Sequence, residues 1–173
     1  MLKKVSRVLA GVALAGSSLL GMAGQAHAAD RDVCYRPWVG GIGWMSWQCN
    51  GAWAGTTGQA RSIYAVEFRT AVGELCLRAH RSNYGWDSSD TCVTPGQTKR
   101  IGSIEAAAPV EAVALYSRSS EGGYVYGDAH VRDIGWVGGE GDLGYYRTGY
   151  GEVMYIGTTG RALPMEAFWL KWL

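Results

Sequence analysis

The chain has 173 residues, a formal net charge of +1, 26 glycines, eight tryptophans and ten tyrosines. This length is enough for one domain with a hydrophobic core, and the balanced charge provides no basic field of the kind that binds nucleic acid. We therefore expect one domain rich in turns and aromatic strands, with no nucleic-acid partner.

The first 28 residues have the features of a secretory signal peptide. Three basic residues lie within the first seven positions, an apolar run follows over 8–23, and Ala26 and Ala28 supply the small residues of a cleavage site. The run is too short and too rich in glycine for a secure bilayer span. Cleavage after Ala28 leaves 145 residues (173−28) with a charge of about −2 (1−3). We predict a signal peptide at 1–28, a secreted domain at 29–173, and no membrane span after cleavage.

Three segments of the predicted domain repeat one pattern, at 33–70, 74–116 and 123–173. Each repeat contains a Gly-Trp pair, and an aromatic or histidine residue stands six positions before each tryptophan. The tryptophans are Trp44, Trp86 and Trp136, and the residues six positions earlier are Trp38, His80 and His130. Internal repetition at this period indicates an architecture of related units, none of which can bury its apolar face alone.

All four cysteines lie in the first two repeats and keep the repeat register. Cys34 and Cys76 each stand ten residues before the tryptophan of their repeat, whereas Cys49 stands five residues after it and Cys92 six. This register predicts the disulfides Cys34–Cys49 and Cys76–Cys92, as expected for an exported protein. Repeat three has Tyr126 at the first cysteine position. The absence of a CxxC motif argues against zinc or redox chemistry, so we expect no metal and no cofactor.

The residue pattern predicts β-structure throughout. Each repeat closes with a regular strand, at 63–68, 110–115 and 165–170, in which large apolar residues alternate. Residues 104–108 favour at most one helical turn because Pro109 follows them. Three β units of this length predict a pseudo-threefold, closed fold. We expect a β-prism-like domain with one sheet per repeat, with a β-trefoil as the alternative.

The repeats resemble two known families. The Gly55-Thr56-Thr57-Gly58 and Gly157-Thr158-Thr159-Gly160 turns before long strands look similar to the glycine-rich turn of jacalin-like prisms. The segments 130–136 and 156–167 resemble the ChW (clostridial hydrophobic W) repeat, which is also found in secreted actinobacterial proteins. Repeat one matches this pattern through its Ile-Gly-Trp and Gly-Thr-Thr-Gly sequences, and repeat two is degenerate. The ChW resemblance implies an exported or surface-associated protein that binds polysaccharide or protein.

The tryptophans divide into repeated and non-repeated positions. Trp44, Trp86 and Trp136 share one position, which predicts a structural role in the core or between strands. Trp38, Trp47 and Trp53 occur only in repeat one and are candidate ligand-binding residues, because aromatic rings pack on the apolar faces of sugars. Repeat three carries an insertion at 138–151, and its Tyr145, Tyr146 and Tyr150 are candidate ligand-binding residues too. The alternative is that this insertion is an extended hairpin whose tyrosines cover the scaffold.

Catalytic chemistry has few candidates in this sequence. His80 and His130 occupy equivalent repeat positions, which is typical of structural residues, so we predict no catalytic residues and no enzymatic activity. We expect a secreted, lectin-like or adhesion-type binding module that recognises an extracellular polysaccharide or a surface protein. The alternatives are an extracellular protein-binding or inhibitor protein, an extracellular enzyme, and a purely structural surface protein.

Overall fold

A computed structural model describes residues 32–118, 124–137, 146–148 and 151–172. These ranges contain strands and no helix, and they accordingly hold no apolar helix of the length that a bilayer requires. The predicted signal peptide lies outside them. The strands, numbered in chain order, are β1 Val33–Val39, β2 Gly43–Trp44, β3 Gln48–Cys49, β4 Ala54–Gly55, β5 Ile63–Thr70, β6 Leu75–Arg81, β7 Gly85–Trp86, β8 Thr91–Val93, β9 Lys99–Gly102, β10 Val110–Ser117, β11 Val125–Val131, β12 Gly135–Trp136, β13 Tyr146–Thr148, β14 Met154–Gly157 and β15 Met165–Trp172.

The strands form three antiparallel sheets of five strands each. Sheet one contains β1, β2, β3, β5 and β9; sheet two contains β6, β7, β8, β10 and β14; sheet three contains β4, β11, β12, β13 and β15. The fold is therefore all-β, and its three sheets are compatible with the predicted prism-like arrangement. The predicted closing strands are present, and each is two residues longer than expected.

Each sheet contains four strands of one repeat and one strand of another repeat. This arrangement differs from the expected one sheet per repeat. β4 of repeat one pairs with β15 of repeat three, β9 of repeat two pairs with β5 of repeat one, and β14 of repeat three pairs with β10 of repeat two. Each repeat therefore gives one strand to another repeat and receives one strand from the third, so the exchange is cyclic. Sheet three therefore depends on residues from the beginning of the domain.

Each exchanged strand has a glycine where it pairs with the closing strand of the other repeat, a position called the crossing point below. Gly55 lies opposite Ala167, and the equivalent pairs are Gly102 with Ala65 and Gly157 with Ala112. A Cβ on Gly55 would lie 2.2 Å from a backbone oxygen, and on Gly102 and Gly157 it would lie at 2.4 and 2.3 Å. All three glycines also have positive φ angles. The glycine is required because two backbones approach too closely for a side chain.

One hydrophobic core lies between the three sheets. The alternating apolar residues of the closing strands are buried there, as predicted from their period of two: Val66, Phe68, Val113, Leu115, Phe168 and Leu170. Tyr35 packs against Phe168 with ring centroids 4.9 Å apart. Its hydroxyl donates a hydrogen bond to the Ala52 carbonyl and accepts one from the Leu170 amide. Burial raises the pKa of Tyr35 to about 12.

Both predicted disulfides are present. Cys34 bonds to Cys49 and Cys76 bonds to Cys92, with Cα atoms 4.1 and 4.0 Å apart. In each case the two cysteines face each other directly across neighbouring strands, β1 with β3 and β6 with β8. Repeat three keeps the corresponding pairing without a disulfide, since Tyr126 lies opposite Arg147 of β13.

Candidate functional site

The repeated tryptophans lie on the outer faces of the sheets, next to the strand that precedes them. The Trp44 ring is covered by two guanidinium groups, with Arg36 at 5.2 Å and Arg100 at 4.9 Å from its centroid. The Trp86 ring has one guanidinium group over it, that of Arg78 at 5.6 Å, and makes a T-shaped contact with the Tyr155 ring at 5.7 Å. In both sheets one covering residue comes from the exchanged strand. These two tryptophans therefore have intramolecular partners on their faces, in keeping with inter-strand packing.

Trp136 has a different environment from its two counterparts. The position that holds Arg36 in repeat one and Arg78 in repeat two is occupied by Asp128, which cannot cover an aromatic face with a cation. Among the described residues, the aromatic ring that packs against Trp136 is His130, edge-on at 5.6 Å. Its exposed fraction is 39 %. Trp136 therefore presents an accessible ring at a position where the other repeats cover theirs.

The exposed Trp136 lies at the rim of a cleft of about 440 Å³. Gly157, Thr158, Thr159 and Arg161 also line it. This cleft lies within repeat three, between the Gly-Trp turn and the Gly-Thr-Thr-Gly turn. An aromatic surface therefore lies beside hydroxyl groups and one guanidinium group.

A second cleft lies in repeat one, beside β4. It has a volume of about 430 Å³ and contains Trp53, Ser46 and Gln48 in its lining. Trp53 is the most exposed tryptophan among the described residues, with an exposed fraction of 54 %. Of the predicted ligand-binding residues whose side chains the structure describes, Trp53 is the one that lies at a cleft with an exposed aromatic surface.

The other sequence-predicted residues have different surroundings. Trp38 is half-buried and packs edge-on against Tyr64, with ring centroids 5.6 Å apart. Trp47 lies between two guanidinium groups, Arg36 at 4.9 Å and Arg69 at 4.1 Å. Tyr145 and Tyr150 lie outside the described residues, and of Tyr146 the structure describes its strand pairing with Gly127. The structure therefore separates Trp53 from the other two tryptophans of its repeat.

The sequence pattern does not indicate Trp136 as a ligand-binding candidate. Its repeat position grouped it with Trp44 and Trp86 as structural. The signal that distinguishes it is the residue eight positions earlier, because that residue is arginine in repeats one and two and Asp128 in repeat three. With the aspartate at this position, no guanidinium group of the described residues lies over the Trp136 ring.

Two histidine–glutamate pairs form a second type of site. The His80 Nδ1 atom lies 3.0 Å from a Glu111 carboxylate oxygen, and the His130 Nδ1 atom lies 3.4 Å from a Glu166 oxygen. Both glutamates are almost fully buried. The atoms are within ion-pair distance, but the two Nδ1 atoms do not meet hydrogen-bond geometry. Repeat one has Trp38 and Tyr64 at these two positions.

Strand exchange places each pair beside a turn from another repeat. The His80–Glu111 pair lines a cleft of about 790 Å³ that is also lined by Gly160, Ala162, Leu163 and Pro164 of repeat three. The His130–Glu166 pair lines a cleft of about 450 Å³ beside Gly58 and Ala60 of repeat one. The two clefts therefore lie between repeats, unlike the clefts at Trp53 and Trp136.

Each glutamate also accepts a hydrogen bond from a second side chain, and this donor differs between the two repeats. The Ser82 hydroxyl donates a hydrogen bond of 2.6 Å to Glu111, whereas Arg132 donates one of 3.2 Å to Glu166. In a serine hydrolase the serine hydroxyl must contact the imidazole rather than the carboxylate. The Ser82–Glu111 contact therefore does not form the nucleophile–base pair of a serine hydrolase.

A charge cluster lies on the outer face of sheet one. Glu67 accepts hydrogen bonds from Arg36 at 2.8 Å and from Arg100 at 3.0 Å. Burial opposes ionisation of Glu67, but these two guanidinium groups outweigh it and hold the pKa of Glu67 below its ordinary value. The same two arginines cover Trp44, so this cluster orders the face of sheet one.

Glu74, Cys76 and Cys92 are the one group of three metal-ligating side chains that lies close together in the described part of the chain. Both sulfur atoms belong to the Cys76–Cys92 disulfide. A thiolate pair for a metal ion is therefore absent from this group.

Comparison with known proteins gives a match in repeat one. The sequence profile of the family described as Clostridial hydrophobic W (ChW) matches residues 39–69. This range contains Trp44, the Gly55-Thr56-Thr57-Gly58 turn and most of β5. No curated protein and no solved structure matches the chain significantly. Repeat one is therefore similar to the ChW family, which indicates an extracellular binding module, and the two disulfides indicate an oxidising compartment.

Proposed function

We propose that this protein is a secreted, non-catalytic, lectin-like module that binds a polysaccharide or another cell-surface glycan. In this proposal all three repeats are of the ChW type, as in secreted actinobacterial proteins, and the signal peptide at 1–28 directs export. The observation that carries the proposal is the pair of exposed tryptophans, Trp53 and Trp136, each at a cleft with polar groups.

The chemistry of the two clefts supports a sugar ligand. A pyranose ring has apolar C–H faces that pack on an aromatic ring, and its hydroxyl groups need donors and acceptors at the edge. Trp53 supplies the aromatic surface in repeat one, with Ser46 and Gln48 beside it. Trp136 supplies it in repeat three, with Thr158 and Thr159 beside it. Two separate clefts on one chain would also allow bivalent attachment to a polymer.

The size of the clefts supports recognition of short glycan segments. Volumes of about 430 and 440 Å³ lie in the range of small-molecule sites. Because these clefts lie on the outer faces, a long polymer could pass through them without its ends being enclosed. This geometry favours binding along a chain over binding of a small free metabolite.

The experiment is a glycan-array and cell-wall-fraction screen of residues 29–173, followed by titration of each hit using tryptophan fluorescence. We expect Trp53→Ala and Trp136→Ala each to weaken binding about tenfold or more, since stacking on an exposed ring contributes on the order of 1–2 kcal/mol. Tyr84→Ala is the matched control, because Tyr84 is 62 % exposed and belongs to neither tryptophan cleft. Absence of binding to every glycan and cell-wall fraction would contradict the proposal.

The His80–Glu111 pair favours an extracellular enzyme as a second candidate. A histidine beside a buried carboxylate can act as a general base, and this pair lines the largest of the clefts described above. Hydrolysis of a polysaccharide or ester substrate by the wild-type domain, lost in His80→Ala and kept in His130→Ala, would establish this candidate. No turnover of any bound glycan would leave binding as the function.

A further inference from the structure

We propose that the Trp136 cleft of repeat three is selective for acidic saccharides, which carry a carboxylate or phosphate group, whereas the Trp53 cleft accepts neutral ones. This inference rests on the proposed function and names the ligand class of one of its two sites. Its starting point is Arg161, which lies in the lining of the Trp136 cleft.

Arg161 supplies the positive charge of this cleft. Its side chain is exposed, and within the described ranges it forms no salt bridge. The other arginines near the sheet faces are engaged, as Arg36 and Arg100 are with Glu67 and Arg132 is with Glu166. A guanidinium group without an internal partner at a cleft is available to an external anion.

The described residues that line the cleft add no competing negative charge. They include Trp136, Val137, two threonines and Arg161, and none of them is a carboxylate. A planar guanidinium group binds carboxylate or phosphate in a bidentate manner, which gives both affinity and orientation. With the acidic group held at Arg161, the sugar ring of the same residue or its neighbour would lie on Trp136.

Repeat one lacks this cation. The residue that follows the Gly-Thr-Thr-Gly turn is Gln59 in repeat one and Arg161 in repeat three. The described residues that line the Trp53 cleft carry no charge, and Ser46 and Gln48 are their polar side chains. The two clefts therefore share an aromatic surface and differ in one charge, which is the feature that decides between neutral and acidic sugars.

The test compares three oligosaccharide probes of equal length: a uronic-acid oligomer, its carboxyl-reduced neutral counterpart, and a polyol-phosphate oligomer. Binding is measured to residues 29–173 as wild type, Arg161→Gln and Arg118→Gln, the last being a matched exposed arginine outside the clefts. Trp136→Ala identifies binding at this cleft. Each titration is run at low and high salt.

We expect the wild-type protein to bind at least one acidic probe about tenfold more tightly than the neutral probe, with a preference that weakens in high salt. Arg161→Gln should reduce the affinity for the acidic probe to about that for the neutral probe, whereas Arg118→Gln should retain the preference. The uronic-acid and phosphate arms identify which anion is preferred.

Two results would overturn the inference without affecting the proposed function: equal binding of neutral and acidic probes by the wild type, or an acidic preference that survives Arg161→Gln. Binding of neither type of probe, together with a negative glycan screen, would overturn both.

Discussion

Trp38 packs edge-on against Tyr64 at the position where the other two repeats hold a histidine–glutamate pair. Trp38 lies opposite Ala65 of its closing strand, as His80 lies opposite Ala112 of the next one, so Trp38 and His80 are equivalent. Tyr64 and Glu111 are equivalent because each directly precedes that alanine. Both members of the pair therefore change together in repeat one. A joint change indicates that the two positions act as one packing unit on each sheet.

The paired positions should be energetically coupled. We expect Trp38→His and Tyr64→Glu each to lower the free energy of unfolding by about 2 kcal/mol, because the first loses an aromatic contact and the second places a carboxylate without a partner. The loss in free energy of unfolding in the double variant should be smaller than the sum of the two single losses by about 1 kcal/mol or more. Urea unfolding of the four proteins measures this coupling.

Gly40 provides a control for this prediction. A Cβ on Gly40 would lie 2.8 Å from the Tyr64 ring. Gly40→Ser should therefore be destabilising in the wild type and better tolerated in the Tyr64→Glu background. If the effects of all three substitutions on the free energy of unfolding were strictly additive, the two positions would not act as one packing unit.

The fold was predictable where the sequence repeats in register. The alternation in 63–68, 110–115 and 165–170 identified the buried face, and the common offsets of Cys34 and Cys76 from their tryptophans identified both disulfides. Strand exchange was not predictable from the same pattern. A strand of two to four residues has no local signal for its partner, so β4 could equally have paired within repeat one. The exposure of Trp136 depends on Asp128 of a neighbouring strand, which a comparison of tryptophan positions alone does not reveal.

The glycines at the crossing points should be intolerant of substitution. In Gly157→Ala the new Cβ would meet the Glu111 backbone oxygen at 2.3 Å, at a residue with φ of +92°. We expect a loss of about 3 kcal/mol or more in the free energy of unfolding. Gly160→Ala is the matched control, since Gly160 has φ of +70° and no atom within 4 Å of the added Cβ. Its expected loss is about 1 kcal/mol. Equal thermal shifts in the two variants would argue against a steric requirement at the crossing.

The two disulfides should contribute similarly to stability. Each closes a loop of 15 or 16 residues, for which the chain-entropy model gives about 3 kcal/mol. Cys34→Ser/Cys49→Ser and Cys76→Ser/Cys92→Ser should each lower the free energy of unfolding by roughly this amount. Reduction of the wild type should lower it by more than either double variant. A variant that unfolds as the wild type does would show that its disulfide is dispensable.

Glu67 should make stability depend on acid pH. Its pKa is held below the ordinary value in the folded protein, so its contribution is complete above the unfolded pKa of about 4.3. This contribution is lost as the pH falls through the lower folded pKa. We therefore expect Glu67→Gln to be less stable than the wild type at pH 7, with a difference that shrinks below about pH 4. Chemical denaturation between pH 3 and 7 measures it, with the exposed Glu152→Gln as control. A difference that stays constant down to pH 3 would contradict the ionic role of Glu67.

Cyclic strand exchange should make the repeats unable to fold separately. If the domain is produced as fragments 29–121 and 122–173, sheet two lacks β14 and sheet three lacks β4. Each fragment alone then leaves an open sheet edge and part of the shared core exposed. We expect no cooperative thermal transition for either fragment, and recovery of near-ultraviolet circular dichroism with a single transition when they are mixed in equal amounts. The Gly55→Ala variant of the first fragment should complement poorly, because β4 could no longer approach Ala167. Independent folding of 122–173 would show that the strand from repeat one is not required to complete sheet three.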